Sequence, residues 1–87
     1  PDPQDFTPGW RVQLFASTSM VAADEEAHVA REKFSEPIYV EYEPPYYNVR
    51  LGDFLTKDGA RGMANRAKTQ GYEEAWVVET LVLKPPE

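Results

Sequence analysis

The amino-acid sequence predicts an α+β fold, a four-stranded antiparallel sheet with two helices on one face. Three observations point there. Three short runs alternate apolar with polar residues and a fourth carries apolar residues on both parities, two segments between them repeat alanine at helical spacing, and the elements follow the order β-α-β-β-α-β. Crossover connections between strands of one sheet are right-handed, which puts both helices on the same side.

"WRVQLFA" (10–16) is the first strand, with Trp10, Val12 and Leu14 on one face and Arg11, Gln13 and Phe15 on the other. Residues 17–34 follow as a helix. Ser17, Thr18 and Ser19 are cap-forming residues at its start, and Asp24, Glu25 and Glu26 precede Arg31 and Lys33, as the macrodipole favours. Ala23, Ala27, Ala30 and Phe34 form a narrow apolar stripe whose small side chains let the helix lie close to a sheet. "IYVEYE" (38–43) is the second strand, alternating Ile38, Val40 and Tyr42 with Tyr39, Glu41 and Glu43, and Pro44–Pro45 ends it. "YYNVRL" (46–51) is the third, with Tyr46, Asn48 and Arg50 opposed to Tyr47, Val49 and Leu51. Thr56 caps a second helix that carries Ala60, Met63, Ala64 and Ala67 and stops at Gly71. "YEEAWVVETLVL" (72–83) is the last strand. Its alternation is poor, because Ala75 with Val77 and Trp76 with Val78 are both acceptable inward sets, so periodicity leaves the face of Trp76 open.

In the ferredoxin-like arrangement of this element order the first and third strands are central. The helices would then cover Trp10, Val12, Leu14, Val40, Tyr47, Val49 and Leu51. The opposite face would display Arg11, Gln13, Phe15, Tyr46, Asn48 and Arg50. The proline-rich ends, "PDPQDFTPG" and "KPPE", read as stiffened linker ends. The expected organisation is a linker at 1–8, one domain at 9–83 and a tail at 84–87. The chain starts at Pro1 rather than Met, which leads us to expect a domain of a larger protein.

Size scaling gives 87 residues a burial of about 64% of the extended chain's surface, enough for one modest core. With 15 acidic against 9 basic residues the formal charge is −6. Nucleic-acid partners are held largely by a basic field, so this balance argues against them. It also disfavours anionic membrane surfaces, and no apolar run reaches the ~20 residues of a membrane helix. There is no cysteine, one histidine (His28, on a charged helix) and no nucleophile–base set. Glu41 and Glu43 are paired carboxylates on an outer strand with no cleft to raise a pKa, so no glycoside-cleaving role is expected. No metal, cofactor or catalytic residue is implied. An RNA-recognition domain shares this element order but needs alternating aromatics on its third strand, which "YYNVRLGDF" lacks.

The combination of "WRVQLFAS", an alanine-spaced helix, "YYNVRLGDF", a second such helix and "GYEEAWVV" resembles the SPOR (sporulation-related repeat) domain over residues 9–83. The pairing of "VQ" in the first strand with "Y-x-V-R-L-G-D-F" in the third is its most specific part. The resemblance implies a cell-envelope module, extracytoplasmic or periplasmic, that binds peptidoglycan glycan strands stripped of stem peptides and directs a larger protein to the wall or division site. It also implies that the glycan lies on the helix-free face. Carried onto this sequence, the contacts are Gln13, Tyr46, Asn48, Arg50 and Trp76, which favours Trp76 outward. Phe15, a further expected glycan contact, stands where the family commonly has glycine and makes that end of the face bulkier. Arg11, Tyr39 and Val78 are auxiliary positions.

The chemistry suits a sugar strand. Tyr46 and Trp76 are flat plates for its C–H faces, and the amides of Gln13 and Asn48 pair with hydroxyl and acetamido groups. Arg50, with Arg11, could fork the lactyl carboxylate that stem-peptide removal frees. The competing expectation is a protein-interaction module that uses the same face or a sheet edge.

Overall fold

The computed structural model of the chain describes residues 2–85. Pro1 of the expected linker and residues 86–87 of the expected tail lie outside them. The elements run β1 (Phe6–Ser17), α1 (Met20–Lys33), β2 (Ile38–Glu43), β3 (Tyr46–Phe54), α2 (Lys57–Thr69) and β4 (Trp76–Leu83), with a 3-10 turn at Pro3–Asp5. The sheet order is β2-β3-β1-β4 with antiparallel neighbours throughout. The first and third strands are therefore central, as the ferredoxin-like reading requires.

Local chemistry sets the helix ends. Ser19 Oγ accepts from the Ala22 N–H at 3.1 Å and Thr56 Oγ1 from the Gly59 N–H at 3.1 Å, each satisfying a donor that the first helical turn leaves free. Gly71, just past the end of α2, has φ of 100°, a left-handed conformation that a side chain would disfavour. Both alanine stripes face the sheet: Ala23, Ala27, Ala30, Ala60, Ala64 and Ala67 are buried against Val12, Val49 and Leu51. With methyl groups at most of the contact, beside Met63 and Phe34, the helices approach closely, and the core is one layer between helices and sheet.

β1 begins earlier than the pattern indicated. Residues 6–8, expected as linker, pair with the end of β4, Phe6 opposite Leu83, Thr7 opposite Val82 and Pro8 opposite Leu81. The β1–β3 pairing extends only to Trp10 opposite Phe54, so this part of β1 is paired on one side and tolerates a proline. Gly9 has a packing reason. A Cβ there would lie 2.5 Å from Val82 Cγ2 and 2.6 Å from the Phe54 carbonyl oxygen.

Two irregularities shape the central pair. The register steps from Trp10 opposite Phe54 to Val12 opposite Leu51, so β3 carries an extra residue beside Gly52, whose φ is 82°. It then steps from Gln13 opposite Arg50 to Phe15 opposite Val49, so β1 carries an extra residue at Leu14. Such a bulge changes the face of the residues beyond it. Phe15, expected on the helix-free face, is instead opposite a fully buried core valine and packs against the core with Leu14.

Candidate functional site

The helix-free face is built from one row of residues in register across all four strands. Tyr39 of β2 lies opposite Arg50 of β3, Arg50 opposite Gln13 of β1, and Gln13 opposite Trp76 of β4. Three strand spacings make the row about 14 Å long. A second row joins Glu41, Asn48 and Ala16, and a third pairs Glu43 with Tyr46. The face thus holds Gln13, Tyr46, Asn48, Arg50 and Trp76 together. Trp76, whose face periodicity left open, is 56% exposed at one end, and Tyr46 is 50% exposed near the other.

The arginines are not the free cations that alternation alone suggests. Arg11 and Arg50 are 5% and 7% exposed. Arg11 donates from Nε to the Gly52 carbonyl at 3.2 Å, from Nη1 to Glu41, and from Nη2 to Asp53 at 2.8 Å. Its guanidinium also lies 3.9 Å over the Tyr39 ring. Arg50 donates from Nε to Gln13 Oε1 at 3.1 Å and from Nη1 to Glu41 Oε2 at 2.9 Å and Glu43 Oε2 at 2.6 Å. Glu41 bridges the two guanidiniums, one oxygen to each.

Titration follows this network. Burial works against the charge of Arg11, but Asp53 and Glu41 outweigh it and hold the pKa above its ordinary value. Burial also pushes the Asp53 carboxyl up. Hydrogen bonds from Tyr39, Arg11 and the Leu83 N–H more than reverse that and leave it below the usual range. Burial, then the bond to Asp53, pushes the Tyr39 phenol up to about 12. Tyr39 is thus a fixed donor within the face.

Two auxiliary expectations change accordingly. All three guanidinium nitrogens of Arg11 are engaged inside the protein, which removes it as a partner for a ligand carboxylate. Val78, opposite Arg11, is 6% exposed and offers a ligand almost no surface. Glu41, Glu43 and Asp53 matter more than the sequence pattern suggested. A signal existed: the two-residue Pro44–Pro45 turn fixes Glu43, Glu41 and Tyr39 opposite Tyr46, Asn48 and Arg50, which places carboxylates beside the arginine.

Some polar capacity remains unused. Among the described residues Asn48, 6% exposed, has no hydrogen-bond partner for its amide, yet no buried side-chain nitrogen or oxygen is orphaned, so the amide reaches solvent. Arg50 Nη2 and the Gln13 amide nitrogen are likewise free among the described residues. Beside Trp76 a shallow groove of about 310 Å³ is lined by Gln13, Ala16, Phe15 and Glu74. The arrangement can grip an elongated polar ligand that has flat apolar patches. No helix among the described residues is long and apolar enough to cross a membrane.

Comparison with known proteins bears on what that ligand is. The family model described as the SPOR domain matches residues 7–79. The solution structure of the peptidoglycan binding domain of the B. subtilis cell wall lytic enzyme CwlC is similar to this chain. Sequence identity is 29% and the TM-score 0.67, over 86% of this chain and 90% of that one. No curated protein matches the chain.

Proposed function

The chain belongs to the SPOR domain family, and from that premise we propose that it is a non-catalytic peptidoglycan-binding module of the cell envelope. Its ligand is the glycan strand stripped of stem peptides, lying along the helix-free face, and its role is to bring a larger protein to the wall or division site. The observation that carries this reading is the in-register row ending in exposed Trp76, flanked by the unpartnered Asn48 amide. The peptidoglycan-binding character of the similar CwlC domain supports it. Trp76 and Tyr46 stack on sugar C–H faces while Asn48, Gln13 and Arg50 Nη2 bond at the rim. Arg50 offers one nitrogen here, so it acts as a single donor and positions Gln13.

Co-sedimentation with sacculi, intact or amidase-stripped, tests the reading. Stripped sacculi should pellet more of the domain. Trp76→Ala should weaken that binding roughly tenfold, the scale of losing one aromatic platform. Equal binding to both preparations overturns the preference for stripped strands, and no binding to either overturns the glycan reading.

A second reading, docking of an envelope protein's strand along β4, rests on a specific observation. β4 is an edge strand, paired without irregularity from Trp76 to Leu83, and exposes Leu81.

A further inference from the structure

Most of the basic residues of this molecule lie in the helix layer, away from the ligand face. Of nine basic residues, only Arg11 and Arg50 lie on the helix-free face; the others are in α1, in α2 or at Lys84. Those two guanidiniums are tied to three carboxylates, Glu41, Glu43 and Asp53. The cluster is therefore net negative. Glu43 is the open member: its side chain is 58% exposed, one oxygen meets Arg50, and the other has no partner among the described residues. At the far end of the face exposed Glu74 lines the groove beside Trp76. Between them lies the amide of Asn48, which has no hydrogen-bond partner among the described residues and reaches solvent.

A stripped glycan strand that is fully N-acetylated suits this surface poorly. Each of its muramic residues carries a lactyl carboxylate, and the face answers with a single free guanidinium nitrogen amid uncompensated negative charge. Resting on the glycan reading above, we infer that the preferred ligand is a strand in which some 2-acetamido groups have been hydrolysed to amines. An ammonium group at the sugar C2 position donates to the open oxygen of Glu43 near Tyr46, or to Glu74 near Trp76. The same change offsets the strand's own lactyl charge. Glu43 and Glu74 are thereby specificity-determining residues, and the aromatic plates supply affinity common to both forms of the sugar.

The test uses the domain with amidase-stripped sacculi divided in two. One half is treated with a polysaccharide deacetylase and the other is fully N-acetylated with acetic anhydride. Exposed ion pairs are screened by water, so the expected preference for the deacetylated half is roughly two- to fivefold. It should shrink as salt is raised. Glu43→Gln and Glu74→Gln, alone and together, should reduce the ratio of binding to the deacetylated half over binding to the acetylated half. Equal binding to both halves, or a preference for the acetylated one, overturns this inference and leaves the glycan reading standing. Absence of binding to either half overturns both. A preference that survives the double substitution overturns the assignment to these carboxylates.

Discussion

Asp53 shows how closely function and stability are joined on this face. It accepts from Tyr39, Arg11 and the Leu83 N–H and is not itself available to a ligand. Its carboxyl is held below the ordinary value of 3.8. The unfolded chain therefore takes up a proton there before the folded one does. The stability this group contributes is complete above that value and is lost as pH falls through the lower, folded one. Urea titrations across the acid range should show stability falling below about pH 4 with Asp53 intact. In Asp53→Asn that part of the slope should be absent. At pH 7 the substitution should cost about 2 kcal/mol, the size of hydrogen bonds to a charged group. Asn48 sits in the same layer with no such ties among the described residues, so its amide, unlike the Arg11 guanidinium, is open to a ligand.

At the scale of elements, β1 governs the most. It is 12 residues long, central, and paired with β3 and β4. Gly9 lies where its neighbours leave no room for a side chain. Gly9→Ala should therefore destabilise the fold by about 1–3 kcal/mol, as overpacking does. Thermal melts should show a lower midpoint by roughly 4–8 °C for each kcal/mol. An unchanged midpoint would mean that Val82 and the Phe54 carbonyl yield freely. The strands and helices were legible from alternation, caps and alanine spacing, because those signals are local. The faces of Gln13, Tyr46, Asn48 and Arg50 were legible for the same reason. The bulge that turns Phe15 inward was not, since one inserted residue is decided by the fit between strands and leaves the alternation intact. Residues 6–9 misled because Pro8 and Gly9 are turn formers in isolation, and their strand exists only where β4 provides a partner. The burial of Arg11 and Arg50 was missed because it depends on carboxylates brought from β2 and from the end of β3.

For the molecule as a whole, the two layers divide the work. The helix layer supplies the core and most of the positive charge, and the opposite side of the sheet is free to carry aromatic plates, amides and carboxylates. One further property arises from Phe6 lying opposite Leu83 on neighbouring antiparallel strands. Tension applied between those two points opens the β1–β4 ladder one bond at a time from its end. Tension between Ser17 and Leu83, at opposite ends of the pair, loads all the bonds in shear. The chain has no cysteine, so tethers attached through Phe6→Cys with Leu83→Cys, or Ser17→Cys with Leu83→Cys, would be unique. Optical-tweezers pulling should give the lower rupture force for the first pair, and equal forces would show that another element limits opening. Forced unfolding is governed by the unfolding barrier and not by the equilibrium stability. A load entering through Phe6 and Leu83 therefore peels the domain open instead of being borne by it.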